Sequence, residues 1–386
     1  MKGSISVKKV VSFHRIKNKY FYLFAFFMVC AKGAGLDSSH KLYFVLSAIA
    51  IPFWILHMLS VQWNRKALLY SMGLFSVTFL VTLITGRTGM ILSVMLMLAV
   101  KDIDKRELIR WVFRLWLSCM SILLLLVSCG ILADKVVIQG NGQAWHGMGY
   151  GTGNIFHASF VILIVLYLYL RCSSITYLEV MLWFSANYVV YRFSLSRSGL
   201  IMGSVAVLLS YFLRLVYKSE RARKVILYLL SVGMLLIVGL SFIFPLMYDG
   251  DYWKNSLPNT LNRLLTGRIH HARTTLTSDP FTLFGLKGEL GAFIDNAYVF
   301  LLMKYGIIMA AIIFSLYYAA VRSMIKRNDL YGIYMVFLFV LYGFTEQFFI
   351  NGFMNYSMIL VGNEIFNIML KKRYLNNKNY LYQTDG

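Results

Sequence analysis

Apolar runs recur along almost the whole chain, and their length limits what it can fold into. A helix needs about 20 mostly apolar residues to cross a bilayer. In hydrocarbon a backbone must satisfy its own polar groups, which a helix does internally. Runs near 20–36, 41–61, 67–85, 88–100, 111–132, 154–170, 175–192, 197–217, 225–246, 295–318, 330–349 and 353–370 predict about twelve spans. The expected fold class is therefore all-α: a polytopic integral membrane protein whose residues 1–386 form one transmembrane domain. Composition agrees, because 59% of the residues are hydrophobic and 14% are charged. A soluble domain has about 45–50% and about 25%.

The formal net charge of +22 would suggest nucleic acid as a partner of a soluble chain. Here it follows from the tendency of cytoplasmic loops to collect Lys and Arg. The loops also lack the basic–aromatic interleaving that binds single strands, so no nucleic acid is expected. With both termini cytoplasmic, the predicted inner segments hold 26 of the 38 basic residues. The basic head Met1–Lys19 and the apolar run after it read as an uncleaved first helix. Cys30, Cys119, Cys129 and Cys172 have no metal-ligand or redox spacing.

This orientation places two long connections on the outer face. Residues 247–296 form a polar loop of a kind that is usually functional when so long. Residues 133–153 are glycine-rich and predict a mobile loop, with Trp145 and Tyr150 available to stack on sugar rings or to join an interfacial belt.

The positive-inside rule does not explain arginines on the outer face. Arg87, Arg192, Arg197, Arg263, Arg268 and Arg273 all map there. A guanidinium is a planar fork of donors that suits phosphate, so the set points to an anionic, membrane-anchored substrate; the alternative is snorkelling to ordinary lipid phosphates. Small residues flank several of them: Thr85-Gly86-Arg87, Thr266-Gly267-Arg268 and Ser196-Arg197-Ser198-Gly199. Arg87 and Arg197 fall at predicted helix starts, where the dipole favours anions. Asp295 is either a helix cap or a general base for a sugar hydroxyl, and Glu289 and the pair His270-His271 compete for the second role. Neighbouring histidines point different ways on a helix, so one of the pair at most faces inward. Glu346 and Asn351 mark another outer helix mouth. No metal or other cofactor is expected, because the acidic residues of the long loop are scattered.

Many helices, then a long outer loop before the last few, together with Arg197 in SRSG, Arg268 in TGR, the Gly285 region, Asp295-Asn296-Ala-Tyr298 and Gly306, resemble the bacterial O-antigen and capsular polysaccharide polymerases (Wzy) and the related O-antigen ligases. Family members often carry His before that Asn, where this chain has Asp295. The resemblance implies a cell-membrane glycosyltransferase with its active face outward. Such an enzyme moves a growing glycan from undecaprenyl pyrophosphate onto a lipid-linked repeat unit. A chain-length regulator and a flippase are the partners it implies. Arg197, Arg268, Asp295, Glu289 and His271 are then the catalytic candidates. Arg87, Arg192, Arg263, Arg273, Trp145 and Tyr298 are the candidates for holding pyrophosphate or glycan. Two alternatives remain open: an O-antigen ligase, and a flippase or other transporter of lipid-linked oligosaccharides. A transporter would commonly show repeated halves and charges deep within its helices.

Overall fold

The computed structural model describes residues 3–138, 142–171, 173–251 and 253–381, with side chains described between 18 and 369. Cys172 and the tip 139–141 of the glycine-rich connection lie outside the described residues.

The described chain is all-helical apart from one small hairpin. In order it runs α1 (Gly3–Gly33), α2 (Lys41–Ser60), α3 (Arg65–Thr85), α4 (Gly89–Ala99), α5 (Lys105–Ser128), the strands β1 (Val136–Ile138) and β2 (Ala144–His146), and α6 (Gly153–Arg171). Then follow α7 (Tyr177–Ser194), α8 (Arg197–Val216), α9 (Glu220–Met247), α10 (Leu257–Leu264), α11 (Arg268–Ser278), α12 (Ala297–Lys326), α13 (Leu330–Gly343) and α14 (Ser357–Leu381). Seven of these (α2, α3, α5, α6, α8, α9 and α12) are long and apolar enough to cross a membrane.

The helix starts follow from local chemistry. Asn64, Asp104, Ser219 and Asp329 cap α3, α5, α9 and α13 through their side chains, and Thr176 with Glu179 forms a reciprocal capping box on α7. Helices α4 and α6 are buried over most of their length, whereas α2, α3, α5 and α9 present rows of leucine and other apolar side chains outward. Outward apolar rows of this extent suit a hydrocarbon surround.

Three regions differ from expectation. Residues 133–153 are not an irregular loop: β1 and β2 pair antiparallel with Val137 opposite Trp145. Asp134 fixes the base of this hairpin, accepting from Met148 N at 2.7 Å and lying 2.6 Å from His146 Nδ1. Tyr150 is buried and donates to Gly33 O. The long polar connection carries α10 and α11, and a small apolar cluster of Ala272, Leu276, Ile294, Val299 and Met303 seats α11 on α12.

The third difference is at the mouth near 350. Helix α13 stops at Gly343, short of the expected 349, and the chain turns through a 3₁₀ segment, Gln347–Ile350. The turn is buried because side chains satisfy its backbone. Ser93 Oγ donates to Ile350 O at 2.8 Å and accepts from Gly352 N at 2.8 Å, while Asn355 donates to Phe349 O at 2.7 Å. Non-helical backbone among packed helices requires such partners.

Helix α12 is also interrupted. Gly306 adopts φ 86°, and Thr282 and Leu283 accept hydrogen bonds from Ile307 and Ile308 across the break. A Cβ on Gly285 would lie 2.3 Å from Lys304 O, so both glycines are required for the loop to enter the helix this closely.

Candidate functional site

The site forms where the α10–α11 turn meets the start of α8. Thr266 and Gly267 both take left-handed backbone angles (φ 53° and 87°), which reverses the chain and sends Arg268 inward. A threonine there is strained, and such strain concentrates at functional turns.

Arg268 is almost wholly buried and uses its guanidinium in three directions. Nε lies 2.9 Å from Asp295 Oδ2, Nη2 lies 2.9 Å from Glu346 Oε1, and Nη1 donates to Thr345 O. Asn296 rather than Asp295 caps α12, accepting from Tyr298 N and Val299 N. That leaves the Asp295 carboxylate available for Arg268. Glu346 also accepts from Ser198 Oγ at 3.0 Å, which joins the turn after α13 to the first turn of α8.

Burial pushes the carboxyl pKa values of Asp295 and Glu346 upward, against the opposing pull of Arg268. Two carboxylates therefore share one guanidinium in a partly dry setting, where a proton is held more readily than in water. Any activity that needs these groups ionised should fall with acidification at a pH above the ordinary carboxylate value of about 4. A pH–rate profile that stays flat through that region would show that their ionisation is not used.

Arg197 is in the opposite situation. It is the first residue of α8, exposed, and has no ion-pair partner among the described residues. Ser196 caps the helix ahead of it by accepting from Gly199 N. Arg197 and Arg268 both line a cavity of about 370 Å³. Its walls include Trp145 and Gln143 from the hairpin, Asn154 from α6, Tyr191 from α7, and the apolar Leu195, Ile201, Leu264 and Leu265. The cavity thus combines a cation at a helix N-terminus with no ion-pair partner among the described residues, aromatic rings and an apolar rim, while Asp295 and Glu346 do not line it and reach it only through Arg268. An anion with a carbohydrate and an apolar part suits such a lining.

Beneath the α7–α8 junction, His157 of α6 is buried, with Nδ1 2.9 Å from Ser194 Oγ and Nε2 2.9 Å from Asn187 Oδ1. Gly199 makes room for it, because a Cβ there would sit 2.3 Å from His157 Cγ. Gly199→Ala is expected to destabilise by about 1–3 kcal/mol through overpacking and to displace Arg197. Thermal unfolding of the purified protein reads the first effect, and an unchanged Tm would refute the packing argument.

The remaining sequence candidates divide clearly. Trp145, Arg197 and Arg268 are brought together at the cavity, with Asp295 on Arg268. His271 is exposed one turn along α11, where its positive charge would favour ionised Asp295; His270 instead packs edge-on against Tyr248 at 5.8 Å. Glu289 is 90% exposed and pairs with Arg87 at 3.2 Å, and neither residue lines the cavity. Arg192 and Arg273 are not among the lining residues. Arg263 is held by Lys254 O and Thr260. Tyr298 is buried in the core, donating to Val340 O, and does not face the cavity. Sequence reasoning marked Glu346 at an outer helix mouth and Ser198 beside Arg197 without giving either a partner, and it did not single out Tyr191 or His157. An acidic residue between two apolar runs was the one available signal, and it pointed to Glu346.

Fold and site define a predominantly helical chain whose long apolar helices suit a membrane, with a cavity of mixed polar and apolar lining where several helices end. No protein-family model, curated protein or solved structure matches it.

Proposed function

We propose that the chain is a polysaccharide polymerase of the Wzy type. It would transfer a growing glycan from undecaprenyl pyrophosphate onto a lipid-linked oligosaccharide repeat unit, for O-antigen, capsule or exopolysaccharide. The observation that carries this reading is Arg197 at the head of α8, exposed and without an ion-pair partner among the described residues, lining a cavity shared with Trp145 and Tyr191. In this reading twelve helices span the bacterial cell membrane, both termini are cytoplasmic, and residues 247–296 lie outside.

Arg197 binds the pyrophosphate and stabilises the charge it gains as the sugar C1–O bond breaks. Trp145 and Tyr191 support the sugars. The acceptor hydroxyl attacks C1, its oxygen forms the new glycosidic bond, and its proton passes to Asp295 or Glu346. Lipid pyrophosphate leaves with the bonding electron pair. Arg268 holds the two carboxylates in place and its charge favours their ionised forms. Anchoring both lipid tails in one membrane aligns donor and acceptor.

The glycan profile of a strain lacking the gene tests this reading. Collapse of the ladder to a single repeat unit is expected. Long polymer retained on its lipid carrier would instead indicate a ligase, and repeat units trapped on the inner leaflet a transporter.

A further inference from the structure

Helix α10 is built inside out. Its polar side chains Asn259 and Asn262 are 0% and 1% exposed, whereas Leu257 and Leu264 are 64% and 62% exposed. On a water-facing helix the apolar stripe points to the core. The buried asparagines have specific partners. Asn259 donates to Asp249 and to Asp251 O, and Asn262 Oδ1 accepts from His270 N at 2.9 Å. The polar face is thus fixed to the rest of the loop, and the two leucines are left largely exposed.

The exposed apolar surface extends beyond α10. Trp253, 81% exposed, precedes the helix, and the end of α9 presents Ile243, Leu246 and Met247 outward. Helix α10 packs beside α9, so its exposed leucines lie next to a helix that is itself long and apolar enough to span a membrane. Arg263 and Thr260 lie on the same helix and bond each other. A leucine stripe bordered by a cation, with a tryptophan beside it, is the composition of a helix lying in a bilayer interface.

We infer that α10, with Trp253, is an interfacial anchor seated in the lipid surface at the end of α9, holding the loop and its cavity against the membrane. Leu264 belongs both to the outward stripe and to the cavity lining. The seat therefore joins lipid to cavity on the side where Arg197 and Ile201 also contribute. An amphiphile could place its anionic head at Arg197 while its chain stayed among lipids beside α10. The anchor requires only that the chain spans a bilayer, and it stands or fails separately from the proposed transferase reaction.

The test uses the full chain in lipid nanodiscs of phosphatidylcholine and phosphatidylglycerol, with Cys30, Cys119, Cys129 and Cys172 replaced by serine. Leu257→Cys and, separately, Leu264→Cys carry an environment-sensitive fluorophore, and Thr277→Cys, at an exposed position near the end of α11, serves as the water-facing control. Blue-shifted emission, strong quenching by a lipid spin-labelled near its headgroup and weak quenching by aqueous iodide are expected at both leucine positions, with the reverse at Thr277. Strong iodide quenching without lipid quenching would overturn the anchor. Protection from both quenchers would also overturn it, because a protein partner or a second copy would then cover the face. Agreement between the two leucine positions separates a local effect of one substitution from the seating of the helix.

Discussion

Arg197→Ala is expected to lower glycan transfer by about 10²–10³-fold, the usual loss when one preorganised donor to a developing oxyanion is removed. The fold should be unaffected. Arg197 is exposed and unpaired among the described residues, and such surface substitutions usually change stability by about 0.5 kcal/mol or less. Arg197→Lys keeps the charge but loses the planar fork, so it should recover only part of the activity. Transfer of purified lipid-linked repeat units by detergent-solubilised protein, beside a Tm for each variant, reads both quantities. Full activity in Arg197→Ala would remove the main support for a pyrophosphate site at the head of α8.

Arg268→Ala should fail differently. Removing this guanidinium leaves Asp295 and Glu346 facing each other, partly buried, without their cation. Breaking a buried pair by deleting one partner typically destabilises by about 3–5 kcal/mol. The expected result is loss of folded protein as well as polymer. Adding Asp295→Asn and Glu346→Gln removes both stranded charges, so the triple variant should regain folded protein but not transfer. If Arg268→Ala folds normally and loses only transfer, Arg268 contacts the substrate directly and the two carboxylates are not its main partners. In the same framework Arg197 and Arg268, which look equivalent in sequence and both line the cavity, have separate tasks: one has no ion-pair partner among the described residues and the other is held by two carboxylates behind it.

Much of this architecture was legible in the sequence. Hydrophobic run length located the apolar helices but not α10 and α11 of the polar connection, since about 20 apolar residues have few other fates. Caps such as Asn64, Asp104, Thr176 and Asp329 set where several helices begin, and the run-length reading, which did not use them, placed the start of α5 at 111 instead of 105. Arginines out of place for the charge rule picked out Arg197 and Arg268. The hairpin at 136–146 was not legible, because three-residue strands are too short for an alternation to register.

The sequence by itself determined that the chain is helical and apolar, and that its longest polar stretch gathers cations. Only the tertiary structure decided which cations are available. Arg87 is taken by Glu289, Arg268 is taken by Asp295 and Glu346, and Arg197 is exposed to the cavity without a partner among the described residues. It also decided that Tyr298 belongs to the core and that the leucines of α10 face outward. The physical reason is range. Helix formation and capping act over three or four residues and can be read along the chain. Ion pairing and burial join residues as far apart as Arg268 and Glu346, whose meeting depends on how every helix between them packs.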